Sequence, residues 1–263
     1  MNKRNIWLRI GMLGAIMLMV FAGNQLIVFY GEYKNGDDKY ERIREEAVVS
    51  FPFQDGDEDA ANLDGVTNGK EVVKGIDFQT VVKTNNEAVG WILFQEPAEI
   101  NYPIVQGTDN QEYLERTLDA DGHKYGTIFM DYENSPGFTD RNTIIYGHHM
   151  ANGSMFGQLP KYQDSGFWQQ YPYFYIFTPD GTELGRQWTY KIFAVERASD
   201  GSASFQMQFQ NDKDFMSYIT YIKQNSLYQT DTDVEENDRI VTLSTCSGGV
   251  ASERFLVHGV LVR

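Results

Sequence analysis

The sequence predicts a mainly β domain of eight short strands with peripheral helices, carried behind one amino-terminal membrane span. Three observations predict it. Eight runs rich in β-branched and aromatic residues recur between clusters of Gly, Pro, Asn and Asp. An apolar run near the amino terminus is long enough to cross a bilayer. Hydrophobic residues make up 41% of the 263 residues and aromatics 14%, enough for one main domain with a core of its own.

Taken in order, residues 1–9 form a short cytoplasmic terminus and 10–30 the span. As a helix, the run from Ile10 to Tyr30 is roughly 30 Å long, the thickness of a bilayer core. Lys3, Arg4 and Arg9 precede it, while Glu32, Asp37 and Asp38 follow, which puts the amino terminus inside and the rest of the chain outside. Asn24 and Gln25 interrupt the run without an A-x-A cleavage pattern and Leu26 to Tyr30 extend it, favouring an uncleaved signal-anchor over a cleaved signal peptide. Residues 31–75 are acidic, rich in Gly and Asn and without sustained periodicity, so they read as an extracellular tether, in part helical. Asp55, Asp57 and Asp59 alternate there, but Gly56 and the missing closing Glu do not fit a calcium loop.

The folded domain is expected over 76–263. Asp77 can cap a helix bearing Phe78, Val81 and Val82 on one face. Strands are expected at 90–94, 100–106, 127–131, 142–147, 173–178, 188–195, 239–245 and 255–262, the set suggesting a barrel or a sandwich. A helix at 212–224 places Phe215, Tyr218, Ile219 and Ile222 on one face, with Asp212 as its cap.

Composition removes several function classes. The formal charge of −15, from 22 basic and 37 acidic residues, disfavours phosphate neutralisation, so nucleic acid is not an expected partner. A single cysteine forbids an intramolecular disulfide, a Cys-rich zinc site and an iron–sulfur cluster. No metal or organic cofactor is implied.

That cysteine, Cys246, ends the β-branched run 239–246 and opens onto the Ser247-Gly-Gly turn, where a thiol is either a small buried hydrophobe or a presented nucleophile. A second run, 143–147, ends at His148 and His149. Imidazole beside a thiol favours the thiolate and can protonate a leaving amine, although a turn histidine or a metal pair with His123 or His258 would use the same residues differently. Arg254 opens the last strand eight residues beyond Cys246. A hairpin would return its guanidinium toward the thiol to meet a developing oxyanion, unless it is merely solvated or ion-paired.

At these residues the chain resembles the sortases, membrane-anchored cysteine transpeptidases of Gram-positive bacteria. Thr242-Leu-Ser-Thr-Cys246 followed by the strand-borne Arg254 matches their Thr-Leu-x-Thr-Cys signature. Val89-Gly-Trp-Ile92, Ile100-Asn-Tyr-Pro-Ile-Val-Gln106, Gly126-Thr-Ile-Phe-Met-Asp131, Tyr146-Gly-His-His-Met150 and the helix before the Cys strand are similar to class B. The resemblance implies an eight-stranded sortase-like β-barrel with peripheral helices. Its implied catalytic residues are His148, Cys246 and Arg254, and its implied substrate contacts are Asn110, Leu114 and Ser244. The implied partners are secreted proteins with a carboxy-terminal sorting signal of Asn-Pro-x-Thr-x type and an amine of a peptidoglycan precursor, or of a pilin if the enzyme polymerises pili. The sequence departs from some class B members at Ser204-Phe205, where an aromatic–aliphatic pair often lines the groove, and in a short loop between Cys246 and Arg254.

Two other cysteine enzymes fit less well. L,D-transpeptidases resemble Ser-x-Gly-Cys with a nearby upstream His, and papain-like peptidases place Cys before His at a helix start. A nonenzymatic surface module would explain anchor, tether and β domain but would leave Cys246, His148 and Arg254 a coincidence.

Overall fold

The computed structural model describes residues 3–52, 66–68, 71–97, 99–119, 122–246 and 252–262. The chain divides into two compact units, 1–41 and 42–263. Helix α1 (Lys3–Ala47) covers the stretch expected to be a span. Among the described residues no helix is long and apolar enough to cross a membrane, and the side chains of residues 10, 11, 26 and 29 of that stretch lie outside the described set.

Within the partly helical tether expected for 31–75, three short strands follow the helix. Helix α1 runs on to Ala47, and β1 (Val48–Pro52), β2 (Val66–Asn68) and β3 (Glu71–Ile76) form an antiparallel sheet in the order β1-β3-β2. The β-branched Val48, Val49, Val66, Val72 and Val73 supply the strand propensity that the acidic, Gly-containing segments between them dilute. The Asp55, Asp57 and Asp59 triplet lies outside the described residues.

Helix α2 (Phe78–Thr84) starts as expected, with Asp77 Oδ1 accepting from Gln79 N at 2.9 Å and Thr80 N at 3.3 Å. Phe78 and Val81 are buried, but Val82 is 39% exposed. A helix of two turns has a narrow buried stripe, and Val82 falls on its flank.

The eight expected strands are all present: β4 (Ala88–Phe94), β5 (Asn101–Val105), β6 (Ile128–Met130), β7 (Asn142–Tyr146), β8 (Tyr173–Thr178), β9 (Arg186–Ser199), β10 (Ile240–Cys246) and β11 (Glu253–Leu261). They close into a barrel in the order β10-β11-β9-β8-β4-β5-β6-β7. Its interior stacks Phe94 on Phe174 at 5.3 Å and Phe174 on Tyr190 at 5.2 Å. A Cβ at Gly259 would lie 2.3 Å from the Phe174 ring, so only glycine lets β11 pass there.

Two of the barrel pairings are parallel, β5 with β6 and β7 with β10. The second positions the site. Parallel neighbours need a long crossover, supplied here by everything from 147 to 239, and they finish at the same end of the barrel. Helix α3 (Ser165–Gln170) and helix α4 (Asp212–Asn225) lie within that crossover. Phe215, Tyr218, Ile219 and Ile222 of α4 pack on Phe193, Ala194, Ile240 and Val260. The cap of α4 is Asn211 and not Asp212: its side chain accepts from Asp214 N at 3.0 Å, while Asp212 already lies in the first turn.

Candidate active site

Strand β10 brings Cys246 to its last position. Ser244 is the parallel Cα partner of Tyr146 on β7, and Gly147 N donates to Ser244 O at 3.1 Å, so the ladder continues past the strand end. Advancing two residues along both strands sets His148 beside Cys246 in the backbone register. On the other side, Cys246 is the antiparallel Cα partner of Arg254 on β11. Three neighbouring strands therefore bring His148, Cys246 and Arg254 to one end of the barrel. The side chain of Cys246 and the loop 247–251 lie outside the described residues.

His148 is half-buried, and its Nε2 lies 2.5 Å from the carbonyl oxygen of Leu114. A carbonyl only accepts, so Nε2 carries a proton and Nδ1 is the nitrogen left to exchange one. The next residue is held differently: His149 bridges to Met155, and among the described residues its buried Nδ1 has no hydrogen-bond partner. Between Tyr146 and His148, a Cβ on Gly147 would stand 2.6 Å from the buried Phe156 ring. Glycine is thus required for β7 to deliver His148.

Arg254 Nη2 donates to Asp200 Oδ2 at 2.9 Å, and Asp200 itself stands largely in solvent. The ion pair weighed from the sequence is therefore present, with the guanidinium beginning at the residue paired with Cys246. Asp200 lies just past β9, and its N–H donates to Ser252 O at 2.8 Å.

The expected substrate contacts fall in two places. Ser244 is fully buried, and among the described residues its hydroxyl has no partner. Leu114 closes a 3-10 turn, Glu112–Leu114, and is half-buried, its carbonyl on His148. Asn110 braces the turn after β6: its Nδ2 donates to Asp131 Oδ2 at 2.8 Å and its Oδ1 accepts from Tyr132 N at 3.1 Å. Tyr146 donates to the same Asp131 oxygen at 2.8 Å, and its phenol is held far above the usual range by burial first and the Asp131 charge second. Phe205, in the 3-10 turn Ala203–Phe205, stacks on Tyr146 with centroids 6.5 Å apart and planes 11° apart.

Sequence reasoning missed the Leu114 carbonyl, Asp131, Tyr146 and Asp200. A backbone carbonyl carries no residue-type signal, and the others act through contacts between distant segments. Tyr146, two residues before His148 on an extended strand, was the findable one. His123 and His258, weighed as metal partners, are engaged otherwise: His123 Nδ1 accepts from Tyr125 N at 3.2 Å, and His258 is in the barrel wall with Glu196. Among the described residues no group of three or more His, Cys, Asp or Glu could hold a metal ion. A cleft of about 420 Å³ lined by Arg186, Trp188 and Arg239 sits where β10 begins, at the opposite end of the barrel.

A closed eight-stranded barrel with a strand-end cysteine between a histidine and an arginine defines a class of cysteine acyltransferases. The family model of the sortase domain matches residues 96–262. Sortase B of Listeria monocytogenes is 34% identical over 253 residues, which is 95% of this chain and 97% of that protein. A crystal structure of sortase B from B. anthracis in complex with AAEK1 superposes with a TM-score of 0.70 at 32% identity, over 89% of this chain and 99% of that chain. A sortase B structure complexed with triglycine superposes with a TM-score of 0.65 at 28% identity, over 71% and 85%. The chain belongs to the sortase family. It is a cysteine transpeptidase of the sortase B type.

Proposed function

We propose that Cys246 is the nucleophile, His148 the acid and base, and Arg254 the oxyanion group of a transpeptidation that attaches secreted proteins to the cell wall. The observation that carries this reading is the register: Cys246 pairs with Arg254, and His148 follows two residues past the end of β7, the parallel neighbour of the Cys246 strand.

In the first half-reaction the Cys246 thiolate adds to the carbonyl carbon of the Thr in an Asn-Pro-x-Thr-x type signal. Arg254 takes the oxyanion charge, and collapse breaks the C–N bond. The imidazolium of His148 gives its Nδ1 proton to the departing amine, leaving a thioester and a neutral imidazole. In the second half-reaction an amine adds to the thioester carbonyl, His148 takes its proton, and the thiolate leaves. The half-buried Leu114 suits contact with the bound peptide, Asn110 retains one amide proton for it, and the buried Ser244 backs the strand end that presents Cys246. The triglycine complex of the sortase B neighbour supports a glycine-type amine of the peptidoglycan precursor as acceptor. The apolar stretch 10–30, helical within α1 and preceded by Lys3, Arg4 and Arg9, supports a single-pass anchor with the catalytic unit outside the cell.

The test is a library of sorting-type pentapeptides incubated with the protein with and without triglycine and scored by mass spectrometry. The proposal expects cleavage after Thr in Asn-Pro-x-Thr-x sequences and a product joining that Thr to triglycine. Cleavage of no sorting-type peptide would overturn it.

A further inference from the structure

Beneath the site, the barrel wall holds a buried polar chain that the reaction itself does not use. Glu196 on β9 and His258 on β11 are 1% and 0% exposed, with His258 Nε2 3.2 Å from Glu196 Oε1. His258 Nδ1 lies 3.0 Å from Thr242 Oγ1, and Thr242 Oγ1 lies 2.8 Å from Asn142 Oδ1. Asn142 Nδ2 reaches Gln206 O at 2.9 Å and Tyr218 Oη at 3.1 Å, and Tyr218 Oη reaches Ser204 O at 2.9 Å.

The two backbone carbonyls fix every donor in this chain. Ser204 O and Gln206 O only accept, so Tyr218 donates to the first and the Asn142 amide nitrogen faces the second. Asn142 Oδ1 then faces Thr242, which must spend its one hydroxyl proton on it. Thr242 Oγ1 is left as an acceptor, so His258 carries a proton on Nδ1.

The far end of the chain is the segment that borders the active site. Ser204 and Gln206 flank Phe205, whose ring stacks on Tyr146 two residues before His148. The other end is tied to β10 at Thr242, four residues before Cys246, and to β11 at His258, four residues after Arg254. We propose that Glu196, His258, Thr242, Asn142 and Tyr218 are positioning residues: they lock the 203–206 turn to the catalytic strands and so set how tightly the peptide substrate is held beside Phe205. This rests on the proposed sorting-peptide activity. Buried polar groups that are all satisfied specify one arrangement of the elements they join, and this chain joins four strands, α4 and the turn.

Thr242→Val tests it, because Val keeps the β-branched shape and removes the hydroxyl that joins His258 to Asn142. The measurements are steady-state peptide cleavage, the rate of Cys246 alkylation by iodoacetamide, and the ring-current shifts of Phe205 and Tyr146 in the NMR spectrum. The expected result is a KM raised by about fivefold, the worth of one neutral hydrogen bond, with kcat and the alkylation rate within about twofold and the Phe205 and Tyr146 resonances moved. Thr242→Ser, which restores the hydroxyl, should recover the wild-type KM. A Thr242→Val protein with unchanged KM and unchanged ring shifts would overturn the inference. So would a KM raised equally in Thr242→Ser, since loss of the methyl and not of the hydroxyl would then be responsible. A wild-type protein that cleaves no sorting peptide would instead overturn the activity, while the ring shifts would still report on the chain. If Thr242→Val does not fold, Tyr218→Phe, which removes the hydroxyl that joins Asn142 Nδ2 to Ser204 O, takes its place with the same expected and refuting results.

Discussion

Gly147→Ala perturbs the delivery of His148 without touching its imidazole. The added Cβ would stand 2.6 Å from Cδ2 and 2.8 Å from Cγ of Phe156, against the roughly 3.5–4.0 Å at which carbons pack. Phe156 is fully buried, so it cannot simply swing away. Relief of the overlap needs a displacement of about 1 Å, shared between the ring and the end of β7. Overpacking of this kind costs about 1–3 kcal/mol of stability. A misplacement of about 1 Å at a catalytic group costs about 100-fold in rate, or about 2.7 kcal/mol of barrier. Gly147→Ala should therefore lower kcat/KM for the best sorting peptide by about 100-fold while the protein still unfolds cooperatively. Gly147→Ala combined with Phe156→Leu should recover part of the loss, because the smaller side chain vacates the contested space, and the double-mutant cycle measures that coupling. A folded Gly147→Ala protein within about threefold of wild type would refute the reasoning, and so would a double variant no better than the single one.

His148→Ala should abolish cleavage while His149→Ala keeps most of it, since only the first aligns with Cys246 and bonds Leu114 O; equal losses in two folded proteins would remove the assignment. Arg254→Lys keeps the charge but loses the planar fork, and should cost about 100-fold, the size of one lost oxyanion donor; near-normal kinetics would leave Arg254 only its ion pair with Asp200. Alkaline pH should unfold the protein together with its buried tyrosines. Burial, followed by the Glu87 hydrogen bond, pushes Tyr113 up to about 12, and burial raises Tyr162, Tyr190, Tyr218 and Tyr228 as well. A phenol raised above its unfolded value of about 10 contributes stability that is complete below that value and lost as pH climbs toward the folded one. Phenolate absorbance should accordingly rise in two phases, the second coinciding with loss of circular dichroism; a single phase near pH 10 in a still-native protein would contradict it.

The strands were legible because each is a local run of β-branched and aromatic residues between turn formers; all eight appear, although β9 runs on to Ser199, four residues past its expected end. The parallel pairing of β7 with β10 was not, because no local signal records a contact made across ninety-odd residues of crossover. The Cys246 and His148 segments could be recognised separately, but their alignment is a property of that register. Asn211 was passed over as the cap of α4 because Asp212, beside it, is an equally good capping residue by type. The sheet of β1, β2 and β3 leaves little trace in the sequence because its short strands are separated by acidic, Gly-containing segments. Glu196 and His258 could not have been paired from the sequence, since they meet only through the β9–β11 register, which carries an irregularity at His258.

The central claim is that Cys246 carries the acyl group. Intact-protein mass spectrometry of the protein quenched in acid during turnover of an Asn-Pro-x-Thr-x peptide, followed by fragmentation, tests it most directly. The account predicts an adduct equal in mass to the peptide truncated after Thr, located on Cys246, discharged by triglycine or hydroxylamine, and absent from a folded Cys246→Ala protein that no longer cleaves. Cleavage persisting in Cys246→Ala, or an adduct on any other residue, would contradict it.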